Sequence, residues 1–170
     1  YLTTLPHSIG YLTNLTSLHL GLNQLTSLPE SIGNLKRHTT IYLDDFSMVS
    51  GKVDLSSNKL TSIPIFLTHL KQITSLDLSD NQLTTLPESI GNLKRLTTLD
   101  LRYNQLMDLP ESIGNLTNIT YLSLWDNQLT SLPESIGNLT NLTYLSLYKN
   151  KLTDEEKIRL TKIFGDKVNF

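Results

Sequence analysis

The chain contains no cysteine, which excludes disulfides, thiolate metal sites and cysteine nucleophiles. That absence suits a reducing compartment or a bacterial source. Basic residues are not in surplus either. Fourteen Lys and Arg stand against 16 Asp and Glu, a formal charge of −2, so a nucleic-acid partner gains no electrostatic support. The longest apolar runs are only a few residues, such as Ile65-Phe66-Leu67. A helix that crosses a bilayer needs about 20. No signal peptide is visible. Histidine is scarce, with residues at 7, 19, 38 and 69 that show no metal-ligand spacing, and nothing in the composition calls for a cofactor or metal.

What the chain does have is a period. The stretch Leu83–Gln105, LTTLPESIGNLKRLTTLDLRYNQ, is followed by close copies at Leu106–Gln128 and Leu129–Lys151. Asparagine recurs at 81, 104, 127 and 150 in steps of 23 residues. A fixed period of this size is the mark of a solenoid, in which each unit stacks on the next. The first unit, Leu2–Gln24, carries Asn23 in register but has no polar cap before it. Since each repeat buries apolar surface only against its neighbours, upstream sequence is expected before Tyr1. Without it, the open coil offers an otherwise monomeric chain a route to end-to-end association. The second unit begins regularly at Leu25–Arg37 and then departs: His38 stands where a later unit has Leu96, and Phe46 where an asparagine is due. Asn58 follows Asn23 by 35 residues, one period plus 12, too few for another coil. Residues 44–52, DDFSMVSGK, are therefore predicted to loop out before a strand resumes at Val53. Such a loop is tolerated at little entropic cost, with a partner-binding role as the alternative.

Within a unit, Leu99-Asp100-Leu101 alternates apolar and polar residues like a strand with one buried face. Strands 23 residues apart must run parallel, because the chain returns to the same place after every coil. Asn23, Asn58, Asn81, Asn104, Asn127 and Asn150 follow the strands, where an amide can serve both backbone donors and acceptors; these are expected to form a structural ladder. The return path, Leu109-Pro110-Glu111-Ser112-Ile113-Gly114, predicts a short 3₁₀ or α turn, with proline in its first turn and glycine easing its exit. Leu109, Ile113, Leu116, Ile119, Leu122 and Leu124 are expected to point inward. Residues 1–152 thus read as one repeat array, and 153–170 as its C-terminal cap within the same domain, marking a genuine end. Thr153-Asp154-Glu155-Glu156 has the form of a capping box. Leu160, Ile163 and Phe164 are predicted on one helical face, Gly165 at its end, and Val168 and Phe170 in a last short strand.

The pattern LxxLPxxIGxLxxLxxLxLxxNxL resembles the leucine-rich repeat family in its 23-residue form, as in Ras-suppressor-like scaffolds, plant intracellular repeat proteins and many bacterial ones. The resemblance covers residues 2–152 apart from 38–52. It implies an α/β fold: a right-handed solenoid with a concave parallel sheet, short 3₁₀ or α turns on the convex side and a capping helix. It also implies a concave side that usually binds proteins. The cysteine-rich caps usual in extracellular animal members are missing.

If the strand leucines face inward, the residues between and after them line the concave face. Aromatic residues gather there at the C-terminal end, giving a candidate partner-binding set of Arg102, Tyr103, Tyr121, Trp125, Asp126, Tyr144, Tyr148 and Lys149. Tyrosine, tryptophan and arginine are the residue types that dominate binding hot spots. Asp54, Asp77 and Asp100 form a column read as a solvated acidic stripe. His19 is the only histidine expected on this face and lies far from the aromatic end, so no catalytic nucleophile and base meet. Glycosylation sequons at Asn14, Asn115, Asn118, Asn138 and Asn141 follow from the repeat itself. The reading is a non-catalytic module that binds a protein partner through its concave face, in a cytoplasmic or secreted bacterial protein. The alternatives are the recognition portion of a larger effector or signalling enzyme, and a surface adhesin.

Overall fold

The computed structural model describes residues 1–12, 14, 17–20, 23, 25, 28–34, 40–42, 52–63, 67–68, 71 and 73–170. Three-residue strands recur along the chain: β1 (Ser17–His19), β2 (Thr40–Tyr42), β3 (Lys52–Asp54), β4 (Ser75–Asp77), β5 (Thr98–Asp100), β6 (Tyr121–Ser123) and β7 (Tyr144–Ser146). A two-residue β8 (Val168–Asn169) closes the series. β1 pairs with β2, and β3 to β8 form a six-stranded sheet whose order follows the chain. Every pairing is parallel, and Lys52, Ser75, Thr98, Tyr121 and Tyr144 lie opposite one another in succession. The sheet stays open, as expected of a leucine-rich repeat solenoid.

The irregular second unit has a definite form at its edges. β2 lies opposite β1 in the 23-residue register, Ser17 against Thr40, whereas β3 pairs with β4. Yet Lys59 donates its N–H to the Leu25 carbonyl at 3.0 Å, the bond that Gln82 makes to Leu60 at 2.9 Å in a regular pair of coils. The turn at Asn58 therefore stacks directly on that at Asn23, and one coil carries two strand segments, one for each neighbour. Lys52 opens β3 rather than ending a loop. Residues 44–51, Phe46 among them, and His38 lie outside the described residues.

On the opposite side, 3₁₀ turns span His7–Tyr11, Glu30–Asn34, Glu88–Asn92, Glu111–Asn115 and Glu134–Asn138. Proline is not in the first turn but just ahead of it: Pro110 is extended, with φ −68° and ψ 151°, and its carbonyl accepts from the Ile113 N–H at 3.0 Å. It donates nothing there, so its missing N–H costs no bond. The glycine does not ease an exit either. Gly114 lies within the turn, and an added Cβ would stand 2.5 Å from Ser135 Cβ and against the Ser135 carbonyl oxygen of the next coil. Its place is set by the closeness of neighbouring coils. Inside, Leu109, Ile113, Leu116, Ile119, Leu122 and Leu124 are all buried, as are their equivalents from Leu83 to Leu147. Each contributes about 1.5–3 kcal/mol of gross burial, most of it offset by chain ordering.

The cap helix α1 (Asp154–Phe164) starts at Thr153, whose Oγ1 accepts from the Glu156 N–H at 3.2 Å. The reciprocal half of the expected capping box is absent. Instead the Glu156 carboxylate accepts from the Leu132 N–H at 2.8 Å and pairs with Arg159 at 2.7 Å, while Arg159 Nη2 donates to the Leu132 carbonyl at 2.8 Å. One ion pair thus satisfies both backbone groups of Leu132 and ties the helix to the last coil. Leu160 and Phe164 are buried, but Ile163 is 42% exposed. The expected three-residue face is a two-residue one, because residues one apart on a helix diverge by about 100°. Gly165, at φ +58°, ends the helix, and the chain turns to lay β8 against β7, with Leu147 N–H donating to Asn169 at 2.7 Å.

Candidate functional site

Asparagine side chains hold each strand to the turn after it. Asn104 Oδ1 accepts from the Leu83 N–H at 3.0 Å, and its Nδ2 lies within reach of the Leu78, Leu101 and Arg102 carbonyls at 2.9, 3.1 and 3.2 Å. Asn81, Asn127 and Asn150 repeat the arrangement, each accepting from a leucine 21 residues earlier. Asn23 accepts from Leu2 in the same register. Asn58 keeps the donor half, to Leu55 and Ser56, but among the described residues its buried Oδ1 has no partner.

This ladder has a conformational counterpart that residue type did not announce. The residue before each asparagine from Asn58 to Asn150 is left-handed: Ser57, Asp80, Tyr103, Asp126 and Lys149 have φ between 52° and 57°. For an L residue that conformation costs about 1–2 kcal/mol. It is held because reversing the chain there turns the asparagine inward, where its amide meets several buried carbonyls. Tyr103, Asp126 and Lys149 are displayed outward from these same corners.

The aromatic residues form two groups rather than one column. Tyr121 and Tyr144, at the start of β6 and β7, stack with centroids 4.9 Å apart and planes 9° from parallel. Beyond the strand ends, Tyr103 lies 5.2 Å from Trp125 at a 44° tilt, and Tyr148 meets Trp125 edge-on at 6.1 Å. Between the groups run Ser123 and Ser146, both buried although they belong to the concave rows. The result is a filled aromatic surface, with Tyr103, Tyr144 and Tyr148 at 43%, 39% and 52% exposure.

Its charges are largely paired within the chain. Arg102 Nε lies 2.9 Å from both Asp100 oxygens, and Nη2 is 2.8 Å from Oδ2. Lys149 Nζ is 3.4 Å from Asp126 and 5.9 Å from the Trp125 ring centroid. Burial, and then the nearby Asp100 charge, push the Tyr121 phenol up, so it stays neutral and can donate. Asp77 differs from Asp100 despite its equivalent place on the neighbouring strand. Burial raises its pKa, partly opposed by hydrogen bonds from Ser79, whose N–H donates at 2.9 Å. The sequence treats these aspartates alike; the structure separates one that is neutralised from one that is not.

Residues 52–163 match the leucine-rich repeat region family, and residues 14–35 match the single leucine rich repeat. The chain belongs to the leucine-rich repeat family. A solved leucine-rich repeat protein of Leptospira interrogans is similar to it at 34% identity and a TM-score of 0.78, over 99% of this chain and 46% of that one. The chain therefore spans less than half the length of that protein. No curated protein matches it. Membership makes the chain, in general terms, a repeat module for protein interaction, on a fold that is typically non-catalytic. Among the described residues, no helix is long and apolar enough to cross a membrane, and no three potential metal ligands converge.

Proposed function

We propose that this leucine-rich repeat array is a non-catalytic module that binds a protein partner through its concave face, with Tyr103, Trp125, Tyr144 and Tyr148 as principal contacts. The observation that carries the reading is the run of aromatic rings across β5 to β7, three of them more than a third exposed although their repeats bury every leucine. Aromatic anchors offer large contact area at low side-chain entropy, and rings already held by their neighbours lose little freedom on binding. Arg102 and Lys149, each paired to an aspartate, frame the surface and set register.

The test is capture from extracts of the source cell by the parent chain and by Trp125→Ala/Tyr148→Ala, with folding of both followed by circular dichroism. Loss of two hot-spot rings should weaken a specific complex by well over tenfold, since such residues contribute about 2 kcal/mol or more each. Equal capture of the same proteins by both chains refutes the assignment.

A further inference from the structure

We propose that the segment recognised on the concave face is an extended peptide carrying a lysine or arginine, whose cation lies against Asp77 while an apolar residue three or four positions away packs on Trp125 and Tyr148. This rests on the protein-binding reading above and names the chemistry of the partner.

The charge distribution of the face carries it. At the aromatic end, each cation already has its carboxylate: Arg102 is spent on Asp100 and Lys149 on Asp126. One strand further back, Asp77 is half-buried, and its carboxylate receives hydrogen bonds from Ser79. Among the described residues no ion pair is made to it. Asp80, on the same coil, is exposed and receives the Ser57 hydroxyl at 3.0 Å. Among the described residues no ion pair is made to Asp80 either, so the surface on this coil beside the rings is acidic. A half-buried carboxylate without a cation is costly. Its raised pKa agrees, with burial as the largest cause. A basic side chain from outside removes that cost: the Arg102 guanidinium, held by Asp100, acts on Asp77 only at a distance and less strongly than burial does.

Geometry sets the spacing. Asp77 is on β4 and Trp125 follows β6, two strand intervals or about 10 Å apart across the sheet. Adding the offset along the strand gives the reach of three or four residues of extended peptide at about 3.3 Å each. The orientation of the rings favours a peptide over a flat sugar. Tyr121 and Tyr144 cover one another's faces, and Trp125 is flanked by Tyr103 and Tyr148.

The experiment is panning of a phage-displayed random dodecapeptide library on the parent chain, followed by affinity measurement of the enriched synthetic peptides. Three chains are compared: the parent, Asp77→Asn and Trp125→Ala/Tyr148→Ala. Asparagine keeps an oxygen for the Ser79 N–H, so Asp77→Asn removes charge without removing the bond. The expected result is enrichment of Lys or Arg three or four residues from Leu, Phe or Trp. Affinity should fall about fivefold to tenfold in Asp77→Asn and more in the aromatic variant. Binding to the parent should also weaken between 50 and 500 mM salt more steeply than binding to Asp77→Asn, by about the same factor. Peptides that need the rings but show no basic residue and bind Asp77→Asn equally overturn this inference and leave the concave reading standing. Peptides indifferent to both variants, or a panning that enriches nothing, overturn the peptide-binding proposal altogether.

Discussion

Substituting alanine at Gly114 and at Gly137 should give opposite results, although both glycines occupy the same place in the repeat. At Gly114 a new Cβ would stand 2.5 Å from Ser135 Cβ and 2.9 Å from the Ser135 carbonyl carbon. Ordinary carbon contacts are about 3.5–4.0 Å, so adjoining coils must separate by about 1 Å at that point. Ser135 cannot retreat freely: its Oγ donates to the Glu111 carbonyl at 2.6 Å and its N–H to the Glu111 carboxylate at 3.2 Å. Overpacking of this kind costs about 1–3 kcal/mol, and the backbone obstacle places Gly114→Ala at about 2–3. For a chain of this size that is a fall in Tm of about 5–10 °C. At Gly137 the cap replaces the next coil, and the nearest atom to a new Cβ is Ile163 Cδ1 at 4.0 Å. Gly137→Ala should stay within about 0.5 kcal/mol of the parent. Thermal and urea unfolding followed by far-ultraviolet circular dichroism measures both. Equal losses in the two variants, or a melt for Gly114→Ala within about 1 °C of the parent, would refute coil spacing as the reason for glycine.

Asn104→Ala strands the buried Leu83 N–H, while the Leu78 and Leu101 carbonyls keep the amides of Asn81 and Asn127, and urea unfolding should register a loss of about 1–3 kcal/mol for the one buried group left unpaired. Glu156→Gln should destabilise the chain by about 1–2 kcal/mol at pH 7. Arg159, and then the Leu132 N–H, hold the Glu156 pKa below its usual value of 4.5. The stabilisation is therefore present above pH 4.5 and lost as pH falls through the lower folded value, so parent and variant should converge in acid melts. Asp77→Asn should act in the other direction. Burial holds the folded pKa of Asp77 above 3.8, so its ionisation costs stability once pH exceeds that range. The variant should melt about 1–3 °C higher at pH 7 and equal to the parent near pH 3; a lower melt at pH 7 would contradict desolvation as the dominant cause.

The sequence by itself determined the architecture, because the signals were local and repeated. Alternating leucines around Asp100 mark a strand, a 23-residue step makes successive strands parallel neighbours, and the inward set Leu109 to Leu124 follows from the same period. The asparagines were legible too, since an amide just past a strand has few roles besides bonding backbone. The positions of the concave residues came from alternation alone, and the structure brings the named rings into contact in two groups.

What only the tertiary structure decided are relations between coils, which the order of letters in one coil does not encode. Glycine at 114 is explained by an atom 21 residues away, and the same glycine at 137 has no such constraint. Left-handed backbone at Tyr103 and Lys149 is imposed by the inward-turned asparagine that follows, not by either side chain. Glu156 reads as a helix cap but accepts instead from the Leu132 N–H, because the cap helix lies against the last coil and brings its carboxylate to that backbone. Asp77 and Asp100 carry the same letter at the same repeat position. Whether each is neutralised depends on the residue two places on, serine in one coil and arginine in the other, folding back across the face. Periodicity fixes where the chain goes; the exceptions to it are settled by which neighbour each atom meets.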